Sequence, residues 1–230
     1  MSALHTLSPP SALEHAPALP LPLPHAPPRP AWMHAAKRAF DVAFSLAVLA
    51  VASPVLVFAM LAIVAIDGGS PIYRQQRVGR DGRPFMLFKL RTMVEGAHAM
   101  LPELRRYSEV DGPVFKMRDD PRLHALGRFL RRTSLDELPN FVNVLRGEMA
   151  VVGPRPPLLE EVAHYDAYAL RRLCVKPGIT CLWQISGRST VSFDEWMALD
   201  NRYIDTWTPW GDAEIVARTI PAVLRGNGAH

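Results

Sequence analysis

Two adjacent carboxylates, Asp136 and Glu137, are the residues of this chain best suited to chemistry. An arginine-rich segment, residues 128–132, precedes them, and the rigid sequence Pro154-Arg155-Pro156 follows. Carboxylates bind hard metal ions, and arginines bind phosphate oxygens in a bidentate manner. The combination therefore indicates a metal ion and a phosphorylated substrate.

The acidic pair should also mark the start of a helix. Ser134 and Glu137 have the spacing of a capping box, but that choice places Pro139 at the fifth helical position, where its missing donor matters. We predict instead that Asp136 caps a helix ending at Gly147. The positive end of the helix dipole would then keep Asp136 ionised, as a nucleophile or metal ligand must be. Local sequence alone leaves a purely structural role open.

Three basic residues are candidate phosphate contacts. Arg155 lies between two prolines, which restrict the backbone on both sides, so its side chain could be held rigidly; an exposed turn is the alternative. Residues 71–93 are predicted to form a β-hairpin around Gly79-Arg80-Asp81-Gly82. Lys89 and Arg91 lie at the end of its returning strand, where a solvated edge is the alternative.

An apolar segment, residues 42–66, runs for 25 residues without a charge. About 20 residues suffice to cross a bilayer as a helix, so the segment predicts a membrane helix rather than a buried core helix. Ser53 and Pro54 lie near its middle, where proline removes a helix hydrogen bond and the serine hydroxyl can satisfy a freed carbonyl. Both flanks are basic, and basic residues stay in the cytoplasm. We therefore expect a helix that re-enters the same face over one that spans.

Composition limits the remaining possibilities. With 230 residues and 49% hydrophobic content, the chain can form one domain with an appendage. Its net charge of +4 favours an anionic partner: nucleic acid, a phospholipid surface or a phosphorylated substrate. Two cysteines, Cys174 and Cys181, are too few for a disulfide framework and should be reduced thiols. Residues 1–30 hold nine of the 22 prolines and lack the basic start and apolar core of a signal peptide.

Helical patterns occupy much of the rest of the chain, which predicts an α+β fold that is mostly helical with a short β-hairpin. The predicted helices are Val94–Tyr107, Leu123–Arg132, Pro157–Cys174, Asp194–Tyr203 and Trp210–Leu224. Residues 147–156 read as a helix stop, a short strand and a turn, and residues 176–180 as a turn.

Seven motifs occur together in one order along the chain. They are residues 88–93 (FKLRTM), 113–116 (PVFK), 120–122 (DPR), 133–139 (TSLDELP), 152–156 (VGPRP), 176–180 (KPGIT) and 183–188 (WQISGR). In this order they resemble the bacterial sugar transferases, the monotopic phosphoglycosyl transferases. The resemblance extends from about Ala35 to Trp210 and is closest to the short form involved in exopolysaccharide production.

The resemblance implies a reaction and a set of roles. A sugar 1-phosphate would pass from a UDP-sugar, a hexose such as galactose or glucose, to undecaprenyl phosphate, with release of UMP. Family members use Mg²⁺ and an aspartyl-phosphosugar intermediate. The motif match implies that Asp136 is the nucleophile, that Glu137 is the magnesium carboxylate and that Arg155 contacts the nucleotide phosphates, with Lys89 and Arg91 as weaker candidates.

The resemblance also implies an organisation at the cytoplasmic face of the bacterial inner membrane. We predict a disordered Pro-rich tail over residues 1–34, a re-entrant helix over residues 35–67 and a cytosol-facing catalytic domain over residues 68–230. The expected partners are UDP-sugar, undecaprenyl phosphate and membrane lipids, without nucleic acid; a homodimer is left open.

Three positions depart from the family pattern: Cys181 replaces a common glycine, and Pro209 and Gly211 interrupt a usual apolar stretch. They concern the C-terminal helices rather than the acidic pair. The rival interpretation is a membrane-anchored basic interaction module without catalysis, which explains the charge and the apolar helix but not the ordered motifs.

Overall fold

A computed structural model describes residues 18–19, 24–97, 99–109, 117, 119–186 and 192–224. Its α-helices are α1 (Ala31–Asp67), α2 (Leu101–Leu104), α3 (Ala125–Arg132), α4 (Asn140–Arg146), α5 (Leu159–Val162), α6 (Ala167–Leu170), α7 (Leu182–Ile185), α8 (Phe193–Thr206) and α9 (Pro209–Leu224). Its strands are β1 (Ile72–Val78), β2 (Pro84–Leu90), β3 (Ala150–Val152) and β4 (Gly178–Thr180). The α+β class, mostly helical with one hairpin, is confirmed.

Among the described residues, α1 is the helix long and apolar enough to cross a membrane. At about 1.5 Å per residue it is about 55 Å long. Large apolar side chains along the middle of α1 are exposed: Val51 is 81% exposed and Phe58 is 75% exposed. The helix continues through Pro54, and the hydroxyl of Ser53 donates to the carbonyl of Ala50 at 2.9 Å. That carbonyl is the one that Pro54 leaves without a donor, so the proline interrupts one hydrogen bond without ending the helix.

The first third of α1 is attached to the core by polar contacts. The guanidinium of Arg38 donates to the carbonyls of Val144 and Leu145 at 2.6 and 2.8 Å, which satisfies two groups at the end of α4. The carboxylate of Asp41 accepts from the amide of Val151 at 2.9 Å. Lys37 pairs with the buried carboxylate of Asp212 at 2.6 Å. These contacts fix this end of α1 against α4, β3 and α9.

The last third of α1 contacts the same body of the protein. Ala59 and Ile63 are buried in a cluster with Leu90 of β2 and Leu130 of α3. Just beyond, Asp67 lies 3.5 Å from the guanidinium of Arg91. The two ends of α1 are therefore both held by one domain, while the apolar middle is left uncovered.

The hairpin forms as predicted. Strands β1 and β2 pair antiparallel from Ile72↔Leu90 to Val78↔Pro84, and the turn has Asp81 at φ 58° and Gly82 at φ 69°. Successive side chains of a strand alternate between its faces, so Lys89 follows Phe85 and Leu87 on one face. Since Phe85 and Leu87 are buried in the core, the amino group of Lys89 is carried to the edge of that core.

A parallel pair, β3 with β4, was not predicted, since residues 176–180 read as a turn. Ala150 lies opposite Gly178 and Val152 opposite Thr180. A Cβ added to Gly178 would stand 2.0 Å from the amide nitrogen of Gly153, so only glycine permits this approach. The close contact brings the Pro154-Arg155-Pro156 turn beside β4.

Two predicted helices are corrected. The described residues of Val94–Tyr107 are helical only at α2 and in a 3₁₀ turn at Arg105–Tyr107, because a turn with Gly96 at φ 75° precedes them. Pro157–Cys174 is divided into α5, α6 and a 3₁₀ turn at Arg171–Cys174. The division occurs because the carboxylate of Asp166 accepts from the amide of Ala169 at 2.7 Å and starts a new helix. The remaining predicted helices agree with α3, α8 and α9.

Part of the segment before α1 contacts the domain. The amide of Leu19 donates to the carbonyl of Gly82 at 3.0 Å, and Arg29 donates to the carbonyl of Asp205. Residues 24–30 contain no helix or strand, and α1 begins at Ala31. Residues 1–17 and 20–23 of the predicted tail, the motif at 113–116 and the end of the 183–188 motif lie outside the described residues.

The three departures from the family pattern fit the fold without strain. Pro209 opens α9, where its missing amide proton costs no helix bond, and the amide of Gly211 donates to the hydroxyl of Thr208 at 3.0 Å. Cys181 is buried at the start of α7, and neither it nor Cys174 forms a disulfide.

Candidate active site

The acidic pair lies in a 3₁₀ turn, Leu135–Glu137, between α3 and α4. Ser134 adopts the left-handed conformation (φ 56°) and makes no side-chain cap, which rules out the capping box. The prediction that Asp136 caps the helix is also wrong, because α4 begins only after Pro139. Its end at Gly147, with φ 83°, is confirmed. The two carboxylates are thus presented by a tight turn ahead of the helix.

Asp136 is 7% exposed. Burial raises the pKa of its carboxyl to about 6, against the opposing attraction of Lys89, and the negative charge of Glu137 adds to the rise. Arg131 also attracts the ionised form and holds the pKa down. Asp136 is therefore easier to protonate than an ordinary aspartate, and yet it is mostly ionised above neutral pH.

Glu137 responds in the opposite direction. Its carboxylate oxygen Oε1 lies 2.7 Å from the amino group of Lys89. Burial alone would raise the pKa of Glu137, but the ion pair and hydrogen bond with Lys89 outweigh it, and the pKa is lowered. Two neighbouring carboxyl groups with pKa values pushed apart indicate different roles.

Glu137 and Lys89 line a small open cleft of about 40 Å³. The lining residues are Arg77, Leu87, Lys89, Glu137, Asn140, Met149, Arg155, Pro156, Gly178, Ile179 and Gln184. The structure thus brings together three of the predicted site residues, Lys89, Glu137 and Arg155. Asp136 adjoins Glu137 in the chain. Arg91 lies elsewhere, where its guanidinium is 3.5 Å from Asp67. A larger cavity of about 200 Å³ between α1 and α9 is mostly apolar and lies away from the acidic pair, so we assign the chemistry to the charged cleft.

Two arginines near the pair were not singled out in the sequence. Arg77 of β1 is buried; its guanidinium donates to the carbonyl of Pro156 at 3.0 Å, and burial together with Arg155 lowers its pKa to about 10. Arg131 was placed on the polar face of α3, but its side chain is half-buried and its Nε donates to the hydroxyl of Thr92 at 3.1 Å. No local signal marked Arg131, because it reaches Asp136 only through the left-handed turn at Ser134.

Asn140 lines the cleft and carries an unpaired side-chain oxygen. The residue is 3% exposed, and its side-chain oxygen Oδ1 is buried without a hydrogen-bond partner. Leaving such an atom unpaired costs about 1–3 kcal/mol, so a ligand that pairs with it is favoured.

A magnesium ion fits these groups. The described residues contain no cluster of three His, Cys, Asp or Glu side chains that could enclose a metal. Mg²⁺ does not need one, because it commonly takes one or two protein oxygens and completes its shell with water and phosphate oxygens. The carboxylate of Glu137 and the oxygen of Asn140, lining the same cleft, suit that pattern.

Comparison with known proteins agrees with the motifs. Residues 32–226 match the family model described as bacterial sugar transferase. The chain belongs to the bacterial sugar transferases. It is 43% identical, over 84% of its length, to an undecaprenyl-phosphate galactose phosphotransferase of Salmonella typhimurium. It is 41% identical, over 85% of its length, to the exopolysaccharide production protein ExoY of Rhizobium meliloti.

The relatives of this bacterial sugar transferase differ in length. The chain covers 88% of ExoY but only 41% of the Salmonella protein. It covers 43% of a galactosyl transferase, CpsE, of Streptococcus agalactiae, to which it is 44% identical. It therefore spans about two-fifths of the length of several of the relatives it matches.

The raised pKa of Asp136 predicts a pH-dependent stability. Between the ordinary value of 3.8 and about 6, the folded state holds the proton more tightly than the unfolded state, so stability falls as the pH rises through this window. The side chain in Asp136→Asn is neutral at every pH. At pH 7.5 the free energy of unfolding of this variant should therefore exceed that of wild type by about 1–3 kcal/mol, and below pH 4 the two values should become equal. Denaturant unfolding at several pH values measures this.

Glu137→Gln is the matched control, and its effect should have the opposite sign. Because the pKa of Glu137 is lowered in the folded state, its contribution is fully present above the unfolded value of 4.5 and is lost as the pH falls below that value and through the folded-state pKa. Equal destabilisation by both amides at pH 7.5 would contradict the assignment of opposite shifts.

Proposed function

We propose that this protein transfers a sugar 1-phosphate from a UDP-sugar, a hexose such as galactose or glucose, to undecaprenyl phosphate. The products are undecaprenyl-diphosphate-sugar and UMP, and the reaction opens the assembly of an exopolysaccharide or other surface glycan. Family membership supports the reaction class, as does a Caulobacter vibrioides relative, 38% identical, named a UDP-glucose:undecaprenyl-phosphate glucose-1-phosphate transferase. The observation that carries the proposal is the buried Asp136 beside a Glu137–Lys89 pair in a cationic cleft.

Asp136 is the nucleophile of this proposal. One of its carboxylate oxygens attacks the β-phosphorus, which bears the sugar, and the bond from that phosphorus to the bridging oxygen breaks so that UMP leaves. A phosphate oxygen of undecaprenyl phosphate then attacks the same phosphorus and releases the Asp136 carboxylate. A covalent intermediate divides one difficult displacement into two easier ones.

The cations of the cleft stabilise the charge that moves during both displacements. Phosphoryl transfer depends mainly on positioning and charge neutralisation. Lys89, Arg77 and Arg155 converge on the cleft from β2, β1 and the turn after β3. Arg155 is assigned to the nucleotide phosphates, because a planar guanidinium held in a rigid turn can bind two oxygens at once.

Glu137 and Asn140 are the groups that would hold Mg²⁺, which supplies neutralisation of the diphosphate when bound. Lys89 competes for one oxygen of Glu137, at 2.7 Å, and leaves the other available. The lowered pKa of Glu137 keeps it charged at all pH values at which Asp136 can act. Asp136 itself is dehydrated by burial, which removes the water that would otherwise shield a nucleophile.

The contacts of α1 support a re-entrant arrangement at the cytoplasmic face of the inner membrane. Lys37 and Arg38 at one end and Asp67 at the other are bound to the same domain, so a helix that spanned would have to release one set. The exposed apolar middle, around Val51 and Phe58, would enter the lipid. A lipid phosphate at headgroup level could then meet a water-soluble sugar nucleotide.

A non-catalytic interaction module is the weaker account. It has no use for a buried aspartate with a raised pKa or for an unpaired amide oxygen in a cationic cleft. Both features weaken the fold unless a ligand uses them.

Release of UMP tests the activity. Purified protein with undecaprenyl phosphate, Mg²⁺ and UDP-galactose or UDP-glucose should form UMP and lipid-linked sugar in equal amounts. Asp136→Asn should abolish both. Full turnover by Asp136→Asn, or no UMP from any UDP-sugar with wild type, would refute the proposal.

Arg155→Lys should weaken the nucleotide-sugar step by about 1.5–3 kcal/mol, the value of a charge-assisted bond, while exposed Arg218→Lys should leave it unchanged.

Single cysteines test the topology in a variant without Cys174 and Cys181. Trp32→Cys and Arg83→Cys place thiols at exposed positions on either side of the apolar segment. In intact cells both should be protected from an impermeant thiol reagent and should react after lysis, because a re-entrant helix keeps both ends inside. Labelling at one position but not the other in intact cells would mean that α1 spans.

A further inference from the structure

The turn that carries Arg155 is held by all four of its consecutive carbonyl groups. Three of its four residues are prolines without an amide proton, so most of the backbone groups that can fix the turn are its carbonyls. The donors are Gly178 N to Pro154 (2.9 Å), Arg172 Nη2 to Arg155 (3.1 Å), Arg77 Nη1 to Pro156 (3.0 Å) and Val78 N to Pro157 (3.0 Å). The bond to Arg155 itself comes from the side chain of Arg172.

Arg172 is among the most deeply buried charged residues of the described chain. It is 2% exposed, its guanidinium pairs at 2.7 Å with Asp200, which is 1% exposed, and it donates to the hydroxyl of Tyr165 at 2.9 Å. The face of its guanidinium lies 4.8 Å from the ring centre of Trp196. A planar group with fixed partners on its edges and its face has one orientation, so the donor that meets Arg155 is preset.

Arg172 is not among the residues that line the cleft. Its link to the cleft is its hydrogen bond to the carbonyl of Arg155, a residue that lines the cleft. An ion pair this deeply buried adds little net stability on its own, so a positioning role is considered for it.

We propose that the Arg172–Asp200 pair is a positioning device that fixes the carbonyl of Arg155 and so aims the guanidinium of Arg155 at the diphosphate of the nucleotide sugar. This inference rests on the proposed function. Arg172 acts through Arg155 and touches no substrate. A guanidinium displaced by about 1 Å loses bidentate contact, and such misplacement can reduce rates by up to about 100-fold.

The test measures binding of UDP with Mg²⁺ by calorimetry, along with the KM values for UDP-sugar and undecaprenyl phosphate. Arg172→Lys keeps the charge but cannot reach Tyr165, Arg155 and Asp200 together. It should raise the dissociation constant of UDP about tenfold and the KM for UDP-sugar in parallel, in the range seen for coupled neighbours. The KM for undecaprenyl phosphate should stay within about twofold of wild type.

Asp212→Asn is the matched control. Asp212 is equally buried, at 2% exposed, and pairs with Lys37 at 2.6 Å, but it makes no contact with the Pro154–Pro157 carbonyls among the described hydrogen bonds. It should lower the thermal stability and leave the affinity for UDP unchanged. A loss of UDP affinity in proportion to lost stability in both variants would overturn the inference, because the pair would then be merely structural.

A double-mutant cycle decides whether Arg172 acts through Arg155. In an Arg155→Ala background, Arg172→Lys should have no further effect on UDP affinity; multiplied effects would refute the proposal. If Arg172→Lys does not fold, Asp200→Asn, which loosens the same guanidinium, takes its place with the same expected results. Failure of the proposed function is distinct, since wild type itself would then neither bind UDP nor release UMP.

Discussion

The cleft holds more positive charge than its own carboxylates neutralise, and much of the structure follows from that imbalance. Three cationic residues line the cleft: Lys89, Arg77 and Arg155. Arg131 is a fourth, close enough to attract Asp136. The carboxylates that oppose these charges are Asp136 and Glu137. Burial, together with the repulsion of Arg155, lowers the pKa of Arg77 to about 10, so the positive charge of Arg77 is disfavoured at this position. The diphosphate of the proposed substrate would offset this unfavourable concentration of positive charge when it binds.

Several separate segments must meet to build this arrangement. β2 supplies Lys89, the turn before α4 supplies the acidic pair, and the close approach of Gly153 and Gly178 brings the Arg155 turn alongside. Helix α1 joins the assembly from outside: Arg38 caps the carbonyl end of α4 and Asp41 binds an amide of β3. Helix α1 is therefore packed, through Arg38 and Asp41, against elements that frame the cleft.

The sequence was informative where local rules decide the structure. Alternation and a Gly-rich turn located the hairpin, Gly147 ended α4, and the pairing of Ser53 with the carbonyl freed by Pro54 followed from proline chemistry. Prediction from the sequence failed where contacts between distant residues determine the structure. Ser134 has a positive φ that its residue type does not suggest, so the approach of Arg131 to Asp136 was invisible. β4 has three residues, too few for a periodic signal, so its pairing with the predicted short strand β3 was missed, and Arg172 meets Arg155 across 17 positions.

In the proposed mechanism Asp136 becomes covalently linked to a sugar phosphate. Intact-protein mass spectrometry after mixing with a UDP-sugar and Mg²⁺, without undecaprenyl phosphate, measures this directly. Wild type should gain the mass of one hexose phosphate, with UMP released in equal amount, and should lose it when undecaprenyl phosphate is added. Asp136→Asn should show no gain. A hexose phosphate adduct that still forms on Asp136→Asn, or that maps to another residue, would contradict the account.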